Sequence, residues 1–296
     1  MQVNGVEIED TYAEAFTGFF SRLLVTAINE KWANIASAEM TGYGTSIIGA
    51  SAEAGVEKCL GVEETPDNRP GCVVQIWTSK KRMPDELLGR IGQCVLTSPT
   101  AAVWNYLDSE EMIDVGYKMK YFGDGYEEIK TVAGREVISI PIMMGDFLIE
   151  KEFGISKGVA GGNFLILAKS QMSALKASEA AVEAIRDLDG VITPFPGGIC
   201  ASGSKVGSKR YKFMHVTTNE RFCPTIAGKV KDFARVEGVN AVSEIVIDGT
   251  SVEVVKEAMR IGIEVATKEE GVIKISAGNY GGELGEVHIS LHSLFK

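Results

Sequence analysis

At 296 residues and a formal net charge of −10, the chain excludes nucleic acid as its main partner, because phosphate binding needs a basic field. Hydrophobic residues make up 45% of it, ample for a substantial core. No apolar run approaches the roughly eighteen residues that would suggest a bilayer span, and the opening MQVNGVEIED lacks the apolar core of a secretory signal.

Taken in chain order, residues 3–8 alternate as a short strand. Thr11 and Glu14 have capping-box spacing, and Phe16, Phe20, Leu23 and Ala27 fall on one helical face, which predicts a helix over residues 12–30. Residues 72–78 read as a strand. Pro84 suits a first helical turn, followed by an apolar stripe of Leu87, Leu88, Ile91, Cys94 and Val95. Gly89 and Gly92 weaken that helix by about 1 kcal/mol each, which predicts close packing against a neighbour. Residues 115–122 read as a strand, and residues 134–149 as strands with turns at Gly134 and Gly145.

The second half repeats the scheme. Residues 163–168 form a strand, residues 171–188 a helix, and residues 191–193 a strand running into a long loop. Residues 241–247 form a strong strand. Thr250 and Glu253 have capping-box spacing ahead of the stripe Val252, Val255, Met259, Ile263 and Ala266. Residues 272–276 and 287–291 close the chain as strands. The element order predicts an α+β fold of two lobes, each a ferredoxin-like split βαβ sandwich, an internal duplication. The division falls at 148, giving an N-terminal (proximal) lobe over 1–148 and a C-terminal (distal) lobe over 149–296.

Five cysteines (Cys59, Cys72, Cys94, Cys200 and Cys223) show no CxxC spacing, and three histidines complete no zinc-like set. Free thiols in a reducing cytoplasm are expected. Cys94 and Cys200 lack a nearby His–Asp pattern and read as small buried thiols.

The chemistry concentrates in glycine-rich loops. TPFPGGICASGSKVGSKR, residues 193–210, is too dense in breakers for a helix or strand. It fails as a phosphate loop, since Ser204 precedes Lys205 and Val206 follows it. Its donors are Ser202, Ser204, Ser208, Lys205 and Lys209, suited to an anionic group or an oxyanion. Two further loops set an asparagine beside glycines: GVAGGN, with Gly161, Gly162 and Asn163, and SAGNYGGELG, with Asn279. Glu244 shares a strand face with Val242 and Val246. A carboxyl among apolar neighbours loses water and holds its proton to higher pH, the condition for a general acid near neutrality. An ion-paired interface carboxylate is the alternative reading.

Eight stretches carry a family resemblance from end to end: NGVEIEDTYAEAF (4–16), LLGRIGQCVLTSPTA (87–101), FGDGY (122–126), GVAGGNF (158–164), PFPGGICASGSKVGSK (194–209), EIVIDG (244–249), EAMRIGIE (257–264) and ISAGNYGGELG (275–285). The chain resembles the formylmethanofuran:tetrahydromethanopterin N-formyltransferases. The resemblance implies a cytoplasmic enzyme of one-carbon metabolism and methanogenesis. It would move a formyl group reversibly from formylmethanofuran to N5 of tetrahydromethanopterin, its two carrier cosubstrates, with no metal or bound prosthetic group. It also implies a homotetramer built from dimers, with the active site in a cleft where subunits meet, and a catalytic glutamate matching Glu244. Substrate-contacting candidates are Gly161, Gly162, Asn163, Ser202, Ser204, Lys205, Ser208, Lys209 and Asn279, with Gln93, Thr97 and Pro99 at the end of a matched helix. Fold alone leaves a non-catalytic small-molecule-binding module, or an inactive paralogue within a formyl-transferring complex, as the alternative.

Overall fold

The computed structural model describes residues 1–296 as a mixed α/β chain. It divides into two compact units, one of residues 1–17 with 158–296 and one of residues 18–157. The expected cut at 148 therefore moves, and the first 17 residues side with the C-terminal unit. The reason is that the strands Tyr12–Thr26 and Ser156–Ala168 each carry the chain from one unit into the other.

The unit holding Glu244 runs strand Ser156–Ala168, helix Gln171–Ile185, strand Val191–Ile192, strand Ala241–Gly249, helix Val252–Ala266 and strand Val272–Ser276. Ser156–Ala168 pairs antiparallel with both Ala241–Gly249 and Val272–Ser276, and Val191–Ile192 pairs with the far side of Ala241–Gly249. In order of appearance the sheet thus reads 4-1-3-2. The helices start where polar side chains cap them: Ser170 accepts from the Ser173 N–H and Ser251 from the Val254 N–H. The second cap is one residue later than the Thr250 expected. Val255, Ala258, Met259, Ile263 and Ala266 bury one stripe of Val252–Ala266 against Phe164, Ile166, Ile245 and Ile247 of the sheet. Gly262 is where helix and sheet meet, since a Cβ there would lie 2.8 Å from the Phe164 ring.

The other unit has the same order: strand residues 18–26, helix Glu30–Thr41, strands Glu53–Leu60 and Gly71–Thr78, helix Met83–Arg90 and strand Ala102–Asn105. Strand residues 18–26 lie between Gly71–Thr78 and Ala102–Asn105, with Glu53–Leu60 outside Gly71–Thr78, all antiparallel. Gly145–Glu150, Arg135–Ile142 and Glu128–Val132 extend this sheet beyond Ala102–Asn105.

Four expectations are corrected. Residues 12–26 form a strand, and the helix begins at Glu30 with Asn29 as its cap. A long strand buried on both faces carries apolar residues at every spacing, including the helical one. Residues 115–122 are not a strand but helical turns, Gly116–Met119 and Lys120–Gly123. Gly89 packs against nothing, because a Cβ there would meet no atom within 4 Å. Cys59 and Cys72 are not free: they stand opposite each other on paired strands and form a disulfide, unusual for a reducing compartment. Cys94, Cys200 and Cys223 remain thiols.

Candidate active site

Strand alternation decides what faces what. Ser243, Ile245 and Ile247 point at the two helices, so Val242, Glu244 and Val246 point the other way. On the neighbouring strand Leu165 is opposite Glu244 and Asn163 is opposite Val246, which puts Asn163 and Glu244 on this helix-free face. On its other side Glu244 exchanges both backbone hydrogen bonds with Cys200, the Cys200 N–H donating at 2.8 Å and the Glu244 N–H at 3.0 Å. The glycine loop of residues 193–210 is thereby pinned to the strand that carries the carboxylate.

Asn163 depends on two glycines before it. The pairing of Ser156–Ala168 slips between Val159 and Gly162, a bulge in which Gly161 takes φ +85° and donates its N–H to Asp248 Oδ1. A Cβ on Gly162 would lie 2.3 Å from Val255 Cγ1, so only glycine lets the bulge rest on the helix. Beyond the bulge, Asn163 accepts from the Gly278 N–H at 2.6 Å and donates to the Gly278 carbonyl at 3.2 Å. A Cβ on Gly278 would sit 3.7 Å from Glu244 Oε1. Asn163, Gly278, Glu244 and Cys200 therefore share one small neighbourhood.

Three titratable groups there are shifted upward. Burial pushes the Glu244 carboxyl up to about 7, against a hydrogen bond from the Cys200 thiol. Burial, then the charge of Glu244, raises the Cys200 thiol, opposed by donors at Ser202 and Gly203. A thiol held protonated in this way is a poor nucleophile. Burial also raises the Tyr280 phenol, and the charges of Glu244 and Glu14 add to it, so it stays a hydrogen-bond donor at neutral pH.

The basic loop is less free than its sequence suggests. Lys205 and Lys209 both grip Glu220, and Lys209 also approaches Asp232. The two lysines, Lys205 first, draw the Glu220 carboxyl down to about 2. Ser208 Oγ accepts from the N–H groups of Arg210 and Tyr211, stabilising a turn. Ser202 Oγ lies 3.6 Å from the Cys200 sulfur, and Ser204 is partly buried between them and Lys205 in the chain. Asn279 is exposed but ties its amide to Thr11 and to the Tyr12 carbonyl. Replacing Glu220 with glutamine is expected to loosen this loop. The measurement is limited trypsin digestion, with cleavage after Lys205, Lys209 or Arg210 several-fold faster than in the parent; unchanged cleavage would show that Glu220 does not hold it.

Gln93, Thr97 and Pro99 belong to the other unit. Gln93 and Thr97 are exposed, and they follow the helix Met83–Arg90 through a π-type turn, Ile91–Val95, a local irregularity common at functional sites. Sequence reasoning missed Tyr280, quoted within a glycine run but not singled out, and it gave Glu14 the part of a helix cap. One aromatic among four loop glycines, and a lone carboxylate between two alanines, were the available signals. No group of three or more His, Cys, Asp or Glu side chains converges to hold a metal ion.

A raised carboxyl beside polar donors, with a protonated thiol in place of an activated nucleophile, suits acid–base transfer of an acyl group directly between two substrates. Residues 1–142 match the profile of the formylmethanofuran-tetrahydromethanopterin formyltransferases, and residues 145–294 match that of the proximal lobe of the same enzymes. The chain belongs to this formyltransferase family. The lobe name falls on the C-terminal part, the reverse of the labels expected. The formylmethanofuran–tetrahydromethanopterin formyltransferase of Methanothermobacter thermautotrophicus is 57% identical, over 100% of both chains. The solved formyltransferase of Methanosarcina barkeri is 54% identical, with a TM-score of 0.95 over 100% of both chains. A chain of the formyltransferase/hydrolase complex of Methylorubrum extorquens, solved with methylofuran, has a TM-score of 0.94 at 39% identity, covering 100% of this chain and 99% of that one.

Proposed function

We infer that the protein is a formylmethanofuran–tetrahydromethanopterin formyltransferase, transferring the formyl group reversibly between its two carrier substrates. Full-length identity above half to the curated relatives supports the activity. The observation that carries the chemical reading is the desolvated Glu244 carboxyl on the helix-free face, within reach of Asn163, Gly278 and Cys200.

In this reading N5 of the pterin attacks the formyl carbon and the carbonyl oxygen becomes an oxyanion. The carbon–nitrogen bond to methanofuran then breaks, and the departing amine needs a proton. Glu244, poised near neutrality, takes the proton released from N5 and gives one to the leaving amine. No covalent bond to the enzyme forms. The Tyr280 hydroxyl is a donor close to this chemistry, and one well-placed donor is worth about 3–4 kcal/mol to a tetrahedral intermediate. Gly161, Gly162, Asn163, Asn279, Ser202, Ser204, Lys205, Ser208 and Lys209 form the substrate-binding set, and Gln93, Thr97 and Pro99 are separate candidates in the other unit.

The repeated β-α-β-β-α-β order with 4-1-3-2 strand positions supports a duplicated ferredoxin-like fold. A homotetramer of paired dimers is the expected assembly, with sedimentation mass as its test. The expected compartment is the cytoplasm, tested by cell fractionation; no helix is long and apolar enough to cross a membrane. The activity itself is tested by mixing the purified protein with formylmethanofuran and tetrahydromethanopterin. Appearance of 5-formyltetrahydromethanopterin is expected; binding of both without turnover would overturn the assignment. Lys205→Ala is expected to raise KM for one substrate about threefold or more, and an unchanged KM for both would remove that lysine from the binding set.

A further inference from the structure

The buried carboxylate of Glu14 has no part in the chemistry described so far. It is 2% exposed and points from the strand Tyr12–Thr26 into the glycine loop that follows Ser276. Each oxygen accepts two backbone N–H groups. Oε2 takes Tyr280 at 2.7 Å and Gly282 at 2.8 Å, and Oε1 takes Leu284 at 2.7 Å and Gly285 at 2.6 Å. These are all charge-assisted bonds, and together they make a nest in which a protein side chain is the anion.

The loop can wrap the carboxylate only because of its glycines. Gly281 and Gly282 take φ of +77° and +79°. A Cβ on Gly285 would lie 2.4 Å from the Ala15 carbonyl oxygen. At its two ends the loop is tied to the same strand by Asn279, bonded to Thr11 and Tyr12, and by Glu286, which accepts from the Thr17 N–H.

What the clasp holds is the wall of the site. The Glu14 N–H donates to the Gly278 carbonyl, the same carbonyl that Asn163 reaches, and Gly278 is the residue whose Cβ would approach Glu244 Oε1. Tyr280, anchored by its own N–H to Glu14, turns its phenol into the field of Glu244.

We propose that Glu14 is a positioning residue for formyl transfer: its carboxylate folds residues 278–285 into the wall that sets Gly278, Asn163 and Tyr280 around Glu244. This rests on the acid–base reading of Glu244 and adds a residue that touches no substrate. The charge is present at every working pH. Burial alone would raise the carboxyl, but the four N–H donors outweigh burial and bring it down to about 2. Glutamine is therefore the informative replacement, because its amide turns N–H donors toward two of the four N–H groups. Aspartate keeps the charge on a shorter arm.

The test pairs hydrogen exchange with steady-state kinetics. In the parent protein, amides 280, 282, 284 and 285 are expected to be protected although the loop is largely exposed. In Glu14→Gln they should exchange at least tenfold faster, with exchange in the helix Val252–Ala266 unchanged. KM for at least one substrate should rise about tenfold, the pH midpoint of kcat should stay near that of the parent, and Glu14→Asp should recover part of the loss. Free-peptide exchange of these amides in the parent would overturn the proposal, and this arm needs no variant to fold. A folded Glu14→Gln protein with normal kinetics would also overturn it. If Glu244→Gln retained turnover, the acid–base reading would fall, while the exchange and KM results would still decide the role of Glu14.

Discussion

Replacing Glu244 with glutamine is expected to slow formyl transfer by roughly 10²–10⁴-fold, the usual contribution of a general acid or base, while making the folded protein more stable above neutral pH. Both effects have one cause. Burial raises the Glu244 carboxyl from an ordinary 4.5 to about 7 in the folded chain. Between those values the folded protein holds a proton that the unfolded chain has released. Stability from this group is therefore complete below about pH 4.5 and is lost as pH rises to about 7, by roughly 3 kcal/mol in total. Glutamine has no such proton to lose and keeps the shape. Melting measured from pH 4 to pH 8 should show variant and parent close together at the acid end. The variant should pull ahead toward pH 8, and the inflexion near pH 7 in the parent's rate profile should be absent from it. Near-normal kcat would remove Glu244 from catalysis, and equal pH slopes of stability would show that its carboxyl is not desolvated.

Gly162→Ala is expected to destabilise the protein by about 1–3 kcal/mol, the usual result of overpacking a filled core. Its φ is not in the left-handed region, so the backbone would accept alanine; the obstacle is Val255 Cγ1, 2.3 Å from the added carbon. To make room the bulge must lift from the helix Val252–Ala266, which moves Asn163 away from Gly278. Turnover should fall along with the melting temperature. Gly89→Ala is the contrasting case. Nothing lies within 4 Å of its added carbon, on an exposed helix position, so a gain of about 0.5–1 kcal/mol is expected. Equal melting temperatures for Gly162→Ala and the parent would mean that the bulge is looser than its packing shows.

These two residues mark how far the sequence could be read. Glu244 stood out because strand alternation is a local rule: with Ser243 and Ile245 turned toward the helices, the carboxyl between them must face the other way. The helices Gln171–Ile185 and Val252–Ala266 were visible for the same reason, each showing its apolar stripe and a serine or threonine at its start. Gly162 was visible as part of a glycine run, but its reason, the touch of Val255, was not. The strand Tyr12–Thr26 was misread as a helix because burial on both faces erases the alternation that distinguishes a strand.

By itself the sequence determined which stretches are helices and strands wherever one face is apolar and the other is not. It also put a carboxyl on the same strand face as Val242 and Val246, with desolvation and ion pairing both open, and, through eight matching stretches, pointed to the family. Tertiary structure alone decided what the charges do. Lys205 and Lys209 look like free anion binders until the fold brings Glu220 between them. Glu14 looks like a helix cap until the chain returns, 266 residues later, to set Tyr280 on its carboxylate. Propensity and periodicity are properties of neighbours in the chain, whereas desolvation, ion pairing and the filling of backbone donors depend on which distant segments pack together.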